Sequence, residues 1–515
     1  MFSGASWLFI VQLISRTTSF LLNIATTRLV LPDSYGIFTM TISLQLHLCM
    51  MLGAEPFRRT FLKTSTSDDD NLKSDEPAMS WRGNKDIAWL AVLVGGIILF
   101  LVDTWNIIHK PYLRVPILLF SVGIFLQILA EPMYILQTSS FTYKQRALIE
   151  GLGSVARSFT VMLCLILFHQ TKMEQIIGYC YGEVVFGIIY FLGFYYTSFK
   201  GVQHEQKNVS PLRILLPSKH IFSKQTLKHS KLWLTFLWQN VQKLFMTHGE
   251  KLLCVLLLSD TQMGYLAFIM NFGSMLNRLV LRIWEEILFN HFAVRKKEKN
   301  SAYVLGSILM SVVLISYLIA FSLRMCFHDF VTLVYGSTWI KPEVSELYTV
   351  FSLFMFFSVV NGSFEALAHS VSCERDLKKQ NIILLVLGIV YFVSTFIFTP
   401  FFGVKTFIFV NAFQMAARLL LSLAFITRNS DVSFYKSSRT VIPVLIVIAG
   451  IYSLLMIIVK SFCTSIVFRM CGFGVVGGIL AITLLYTFIR YQGFRQCFSP
   501  MLEVLGIQKK KEKSM

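Results

Sequence analysis

Fourteen long apolar runs recur along the 515-residue chain, and they constrain its fold more than any other feature. Each is about twenty residues long, the length that an α-helix needs to cross the hydrocarbon core of a bilayer. Membrane-spanning strands would instead show about ten residues of alternating apolar and polar character. Only 15% of the residues are charged, against about a quarter in soluble domains. The chain is therefore predicted to be an all-α polytopic membrane protein.

The predicted helices are divided unevenly by two long polar connections, at 55–86 and 198–231. The second connection separates six helices from eight, so we expect two lobes followed by two extra helices. The predicted spans are 6–29, 34–54, 87–103, 113–137, 147–168, 175–197, 232–257, 263–289, 302–323, 345–371, 381–399, 404–426, 440–460 and 467–489. The predicted domains are an N-terminal lobe (1–197), a basic linker (198–231), a C-terminal lobe (232–430), two extra helices (431–490) and a basic tail (491–515).

The formal net charge of +19 is explained by the placement of the lysines and arginines in the predicted loops. Of the 47 basic residues, 31 fall on the side of both termini and 9 on the opposite side. Cytosolic loops carry such an excess of basic residues. Both termini are therefore predicted to be cytosolic, and the basic excess does not indicate nucleic-acid binding.

The nine cysteines are scattered through apolar segments without a CxxC pair. This pattern indicates neither a metal site nor a disulfide framework. Cys326 and Cys463 both fall near the predicted non-cytosolic face, so a disulfide between them is left open.

Charged residues inside the predicted spans are the main pointers to function, because each costs about 2.5–3.5 kcal/mol at mid-bilayer on insertion scales. They line either a water-filled cavity or helix–helix ion pairs, and the residues alone leave both readings open. The basic members are Arg16, Arg157, Lys243, Lys251, Arg278, Arg282 and Arg418, and the acidic members are Glu131, Glu150, Glu183, Glu250, Glu285, Glu286 and Glu365.

Two predicted helices carry polar stripes at helical spacing, which favours the cavity. Residues three and four positions apart share one helix face. The stripes are Gln12, Arg16, Phe20 and Asn23 in the first helix, and Asn271, Ser274, Arg278, Arg282 and Glu285 in the eighth. Both stripes carry arginine, whose planar fork matches phosphate oxygens. The cavity is therefore predicted to accept an anionic head group.

Nucleotide and metal motifs are absent from the sequence. It contains neither the phosphate-binding loop G-x-x-x-x-G-K-[ST] nor the zinc-binding pattern H-E-x-x-H. We therefore expect no cofactor, no metal and no ATP-driven step.

A set of residues spread along nearly the whole chain resembles the Rft family of endoplasmic reticulum proteins, which is linked to translocation of the dolichol-pyrophosphate oligosaccharide of N-glycosylation. Their order and spacing carry the resemblance. They are Gln12, Arg16, Phe20 and Asn23; Glu55, Phe57, Arg58 and Arg59; Glu131 and Pro132; Lys243 and Thr247 to Lys251; Asn271, Gly273, Ser274, Arg278, Glu285 and Glu286; Tyr335 and Gly336; and Asn361, Gly362, Glu365, Asn411, Met415 and Arg418.

The resemblance implies a fold related to multidrug-efflux and bacterial lipid II flippase proteins, with two pseudo-symmetric six-helix lobes around a central cavity. It implies a cargo of mannose and N-acetylglucosamine on dolichyl pyrophosphate, flipped from the cytosolic to the lumenal leaflet by alternating access. The expected substrate-binding residues are Arg16, Asn23, Arg58, Arg59, Lys251, Asn271, Arg278 and Arg418. The expected cavity acids are Glu55, Glu131, Glu250, Glu285, Glu286 and Glu365.

The segment from Glu55 to Arg59 allows a specific hypothesis about cargo entry. We expect Pro56 to end the second helix, Arg58 and Arg59 to bind the pyrophosphate, and Glu55 to orient both arginines. Glu131 lies deeper and is expected to pair with a cavity arginine. The rival interpretation is that the two arginines only extend to anionic head groups as membrane anchors.

Other functions stay open at this point. One is an accessory protein that binds the lipid-linked oligosaccharide without moving it. Another is an ion-coupled antiporter of small cations, although the two stripes are basic. A polytopic glycosyltransferase would need a large first lumenal loop, and this loop is short. The final Lys511-Glu512-Lys513-Ser514-Met515 resembles a cytosolic dilysine retrieval signal and predicts an endoplasmic reticulum location.

Overall fold

A computed structural model describes residues 17–67, 77–139, 143–168, 171–205, 230–276, 285, 301–371, 374–429 and 434–490, and these residues are helical almost throughout, with no strand among them. We number the helices in chain order. They are α1 (17–29), α2 (Pro32 to Ser67), α3 (Pro77–His109), α4 (Arg114–Ser139), α5 (Tyr143–Leu167), α6 (Lys172–Glu205), α7 (Ser230–Leu257), α8 (Asp260–Leu276), α9 (Ser301–Val334), α10 (Pro342–Val371), α11 (Glu374–Phe402), α12 (Lys405–Asn429), α13 (Phe434–Phe462) and α14 (Ile466–Arg490).

Within the described residues, nine helices are long and apolar enough to cross a membrane, and α13 and α14 each contain a shorter apolar helical segment. These findings confirm a helical, multi-pass membrane protein. The total of fourteen crossings stays a prediction. Helix α7 runs without a break from Ser230 to Leu257.

The expectation that Pro56 ends the second helix was wrong. Helix α2 continues through it to Ser67, after two π-helical stretches at Ile37–Ile42 and Cys49–Ala54. In a π-helix each N–H bonds the carbonyl five residues earlier, so Pro56, which has no N–H, leaves the Met51 carbonyl without that donor. Asn240 Nδ2 on α7 donates to this carbonyl at 2.9 Å instead. A donor from another helix thus allows α2 to continue.

Two helices begin with a capping box, in which two residues three positions apart each bond the backbone amide of the other. This explains where α6 and α8 start after the short turns that precede them. Before α6, the Glu174 amide donates to Thr171 Oγ1 and the Thr171 amide donates to Glu174 Oε2. Before α8, Ser259 and Gln262 form the same pair of bonds. Each pair satisfies two backbone donors that a helix start would otherwise leave without partners.

The chain forms two compact units, Met1–Ala267 and Phe268–Met515. The first unit therefore extends beyond the predicted linker and includes α7. Among its described residues, the core includes an apolar cluster around Phe61, Ala91 and Phe194 and another around Ile37 and Ile117. Helix α7 belongs to this unit because the Trp233 ring packs against that of Phe57, with centroids 5.3 Å apart, and Asn240 donates a hydrogen bond to α2. The predicted lobe boundaries stay a prediction.

Helices α4 and α6 approach closely in the first unit, and glycine makes this approach feasible. A Cβ atom on Gly123 would lie 2.7 Å from the Glu183 carbonyl oxygen, and one on Gly187 would lie 2.6 Å from the Gly123 carbonyl oxygen. Small residues let helix backbones pack tightly in membranes. This contact fixes α6, and with it the carboxylate of Glu183.

The second unit packs α9 against α13 and α14 through Leu314, Leu318, Tyr452, Met456 and Phe473. Gly336, with a φ of 92°, turns the chain between α9 and α10 in a conformation that favours glycine. Both cysteines of the disulfide left open above, Cys326 and Cys463, are free thiols.

Candidate functional site

Arg58, near the end of α2, contacts a carboxylate of the first unit. Its Nε donates to Glu131 Oε2 at 2.7 Å, and its Nη2 donates to Glu131 Oε1. The Glu131 side chain on α4 is 0% exposed. Glu131 therefore pairs with an arginine, as expected, but the arginine is one that the cargo-entry hypothesis assigned to the pyrophosphate.

Tyr134 and a second arginine extend this pair. The guanidinium carbons of Arg58 and Arg146 lie 4.0 Å and 4.4 Å from the centroid of the Tyr134 ring. Such cation–π contacts add about 0.5–1 kcal/mol each, and more when desolvated. Arg146 also donates to Glu150 at 2.9 Å. Arg58 is thus part of a network that joins α2, α4 and α5.

Arg59, the next residue along α2, has a different environment. It donates to Glu55 Oε1 at 2.5 Å, and Lys243 Nζ on α7 donates to the same oxygen at 3.4 Å. Arg59 and Lys243 are 37% and 52% exposed. Glu55 therefore orients Arg59 but not Arg58. Two accessible cations share one carboxylate here, which leaves an excess of positive charge at the surface.

Glu183 is a second buried carboxylate of the first unit. Arg157 Nη1 donates to it at 3.2 Å and Gln127 Nε2 donates to it at 2.8 Å. The pair joins α4, α5 and α6. It supports the ion-pairing interpretation for these two intramembrane charges.

Lys251 on α7 bonds neutral oxygens of α2. Its Nζ donates to the Thr39 carbonyl and to Ser43 Oγ, both at 3.2 Å. The rings of His47 and His248 lie 4.2 Å apart in the same region. The neighbouring Glu250 is partly buried. These contacts attach α7 to the first π-helical stretch of α2.

An ion cluster lies at the start of α2, α6 and α8. Lys172 Nζ donates to Asp260 Oδ2 at 2.9 Å and lies 3.8 Å from Asp33 Oδ2. Lys110, between α3 and α4, donates to Thr41 Oγ1 at 3.3 Å. Burial lowers the pKa of Lys110, and the positive charge of Lys172 adds to this effect, while Asp260 opposes it.

The second unit contains its own arginine–glutamate pair. Arg418 Nη2 on α12 donates to both carboxylate oxygens of Glu365 on α10, each at 2.9 Å. Asn361 Nδ2 donates to the same carboxylate at 3.2 Å, and His369 Nε2 lies 3.8 Å from it. Glu365 is 16% exposed, so this carboxylate is less enclosed than Glu131.

The remaining predicted site residues are placed as follows. Asn23 is exposed, and its carbonyl accepts bonds from Thr26 and Thr27. Asn271 is exposed, and its carbonyl accepts from Ser274. The Glu285 carboxylate lies against Gly362, where a Cβ atom would overlap with Oε1. Arg16, Arg278 and Glu286 lie outside the described residues, and so do Gln12 and Arg282.

Comparison with known proteins decides the family. The model of the family described as Rft protein matches residues 1–498. The chain belongs to the Rft protein family. It is 25% identical over 451 residues to the Dictyostelium discoideum protein named "Man(5)GlcNAc(2)-PP-dolichol translocation protein RFT1", covering 78% of this chain and 81% of that protein. It is 25% identical over 463 residues to the Xenopus tropicalis protein of the same name, with 84% and 82% covered. The resemblance that the sequence indicated is therefore confirmed.

Solved structures show the fold of this Rft family member. The lipid II flippase MurJ in an inward closed conformation matches with a TM-score of 0.61 at 13% identity, over 94% of this chain and 99% of that one. An inward-facing multidrug transporter of the MATE family matches with a TM-score of 0.50 at 15% identity, over 81% and 98%. These likenesses confirm the expected relation to the flippase and multidrug-efflux fold.

Sequence reasoning placed Lys243 inside a span but left it out of the predicted site. The signal that could have included it is its position on the same predicted helix as Lys251, two helical turns earlier. Its partner Glu55 is 188 positions away, and no local spacing rule connects them.

Proposed function

We propose that this Rft family member translocates a dolichyl-pyrophosphate-linked mannose and N-acetylglucosamine oligosaccharide from the cytosolic to the lumenal leaflet of the endoplasmic reticulum membrane. The observation that carries the proposal is the family match over residues 1–498. The names of the relatives and the flippase fold support it further. The product serves protein N-glycosylation.

We infer that Arg59 and Lys243 first bind the pyrophosphate. Both are accessible and share the single carboxylate of Glu55, so a phosphate oxygen can bind beside that carboxylate without breaking a buried pair. Arginine and lysine both bind phosphate, arginine through two parallel bonds and lysine as a point charge. In this proposal Arg58 supports the site by fixing the end of α2 against α4.

The deeper part of the proposed path uses the other substrate-binding residues predicted from the sequence, both cationic and neutral. Asn23, Lys251, Asn271 and Arg418, together with Arg16 and Arg278, are proposed to contact the head group as it crosses, with the glutamates as counter-charges. Alternating access around a midplane site is the proposed mechanism. The polyprenyl tail stays in lipid, because its apolar surface has no need of a polar cavity.

Location and class follow from the same evidence. We infer a multi-pass protein of the endoplasmic reticulum membrane with both termini in the cytosol, as the distribution of basic residues predicts. We also infer that it is a transporter and not an enzyme, since the relatives are named as translocation proteins and the structural neighbours are flippases and transporters.

The test is a reconstitution of the purified full-length protein into liposomes that hold a fluorescent dolichyl-pyrophosphate oligosaccharide. An added glycosidase reports which glycans are accessible in the outer leaflet. We expect protein-dependent exchange that falls at least about tenfold in Arg59→Gln and Lys243→Gln, since each loses a charge-assisted contact to phosphate. Lys379→Gln, an exposed cation at the start of α11, is the matched control and should exchange like the wild type.

Two outcomes would change the proposal. Normal exchange by both variants would remove Arg59 and Lys243 from the entry site. A folded wild-type protein that binds the lipid without exchanging it would contradict translocation and favour the accessory role.

A further inference from the structure

A cavity of about 240 Å³ lies in the second unit, away from the Arg418–Glu365 pair. It is formed by α9, α10 and α13, and we call it the α9/α10/α13 cavity. Its polar lining consists of Arg324 and His328 on α9, Ser345 and Thr349 on α10, and Lys460 on α13. Buried Phe327 and Tyr348 line it as well.

The charge of this cavity differs from that of the ion pairs described above. Arg58, Arg157 and Arg418 each bond a glutamate, whereas Arg324 Nη1 donates to the neutral hydroxyl of Thr349 at 2.7 Å. Among the described residues, no carboxylate lies within ion-pair distance of Arg324 or Lys460. The cavity therefore has two cations with no opposite charge.

The carboxylate nearest to Arg324 along the chain belongs to Asp329, and this carboxylate already pairs with another arginine. Asp329 is buried and forms an ion pair with Arg469, whose Nη2 lies 3.2 Å from Oδ1, while His328 Nδ1 lies 3.6 Å from the same oxygen. A protonated His328 would add to the positive charge of the cavity. An anion is thus the ligand that would compensate these groups.

The cavity lies close to the helix ends. Lys460 is two residues before the end of α13 at Phe462, and Thr349 is seven residues after the start of α10 at Pro342. At 1.5 Å per residue Lys460 lies about 3 Å and Thr349 about 10 Å from these helix ends, and Arg324 lies about 15 Å from the end of α9 at Val334. The polar headgroup region of one leaflet is about 5–8 Å deep, so the cavity extends from that region towards the hydrocarbon boundary. Exposed apolar side chains of Leu333 and Phe462 lie at the same end of α9 and α13.

We propose that the α9/α10/α13 cavity binds the phosphate group of a membrane lipid in the leaflet at this end of the helices. Arg324 and Lys460 neutralise the phosphate, and the hydroxyls of Ser345 and Thr349 donate to its remaining oxygens. The start of α10 adds the positive end of a helix dipole. The site is distinct from the proposed entry site at Arg59 and Lys243, and it does not depend on translocation.

The test measures the thermal unfolding midpoint of the full-length protein in neutral detergent micelles. Dolichyl phosphate, phosphatidic acid, phosphatidylcholine and inorganic phosphate are titrated separately. A ligand that binds the folded state raises the midpoint with its concentration. The variants are Arg324→Gln and Lys460→Gln. Lys341→Gln is the control, since Lys341 is exposed at the same end but does not line the cavity.

We expect dolichyl phosphate and phosphatidic acid to raise the midpoint and phosphatidylcholine to have little effect. The concentration for half the effect should rise at least about fivefold in either cavity variant and stay unchanged in the control. Inorganic phosphate acting equally well, with the same dependence on Arg324, would support the site but assign it to free phosphate. An equal response of all variants, or no response of the wild type, would overturn the proposal. If Arg324→Gln lowers the midpoint without ligand, Arg324→Lys and Lys460→Gln provide the comparison.

Discussion

The two units contain the same chemical pair in different surroundings. In the first unit, Arg58 and Glu131 form two parallel bonds, and the carboxylate has no exposure to solvent. In the second unit, one nitrogen of Arg418 bonds both oxygens of Glu365, which also accepts from Asn361. Glu365 keeps 16% of its surface exposed. We call the first the closed pair, because its carboxylate is fully enclosed, and the second the open pair, because its carboxylate is partly exposed. The two arginine side chains are similarly exposed, at 25% and 26%.

The difference shows that the presence of an arginine inside a membrane span does not by itself indicate a ligand-binding site. A guanidinium bound to a buried carboxylate stabilises the helix contact and leaves little charge for a cargo. Arg59 and Arg324, in contrast, lie where carboxylates are shared or lacking among the described residues. Whether a carboxylate neutralises the arginine, more than how deep the arginine lies in the membrane, distinguishes structural from ligand-binding arginines.

The largest expected effect is the loss of the closed pair. Glu131→Gln leaves the charge of Arg58, whose side chain is 25% exposed, without a counter-charge. Breaking a buried pair in this way typically costs about 3–5 kcal/mol, and the partial exposure of Arg58 places the expected loss at the lower end of that range. We therefore expect the free energy of unfolding in detergent micelles to fall by this amount, as measured by chemical denaturation.

A double variant provides the control for this prediction. Arg58→Leu combined with Glu131→Leu removes both charges together, and such replacements are often neutral or stabilising. Its stability should therefore be close to that of the wild type. A double variant as unstable as Glu131→Gln would contradict the interpretation of the pair as the stabilising element.

Arg418→Gln tests the open pair and should cost less. Glu365 keeps the bond from Asn361 and some contact with solvent, so we expect a loss of about 1–3 kcal/mol. The same denaturation experiment measures it. A loss as large as that of Glu131→Gln would show that the second pair is as closed as the first.

A smaller effect is expected from Arg59→Gln. Its pair with Glu55 is exposed and Lys243 remains on the carboxylate, so the stability should change by less than about 1 kcal/mol. Arg58→Gln, one residue away, leaves the buried charge of Glu131 unpaired and should be far more destabilising. Equal destabilisation by the two substitutions would contradict the distinction between Arg58, which pairs with a buried carboxylate, and Arg59, which pairs with an accessible one.

Sequence reasoning predicted a helical, multi-pass membrane protein, because the bilayer fixes the length and the apolar composition of its spans. It failed at Pro56, because the donor that replaces its missing N–H is Asn240, 189 positions from Met51. It recognised Glu131 as a residue that pairs with arginine, but the partner lies 73 positions away on another helix. Helix periodicity relates residues three or four apart, and it contains no information on which face of which helix lies opposite.

The smallest expected effect concerns His369, and it tests whether this side chain contributes to the open pair of Arg418 and Glu365. His369 Nε2 lies 3.8 Å from Glu365 Oε1, beyond hydrogen-bond distance, so its contribution rests on charge alone and only when the imidazole is protonated. A double-mutant cycle with His369→Gln and Glu365→Gln isolates the coupling between the two side chains. We expect a coupling energy of about 0.5 kcal/mol or less, well below the coupling that the equivalent cycle of Arg418 and Glu365 should give. A coupling above about 1.5 kcal/mol, the range of hydrogen bonds to charged groups, would mean that His369 and Arg418 share the carboxylate equally, and that the second unit's pair is a three-membered network.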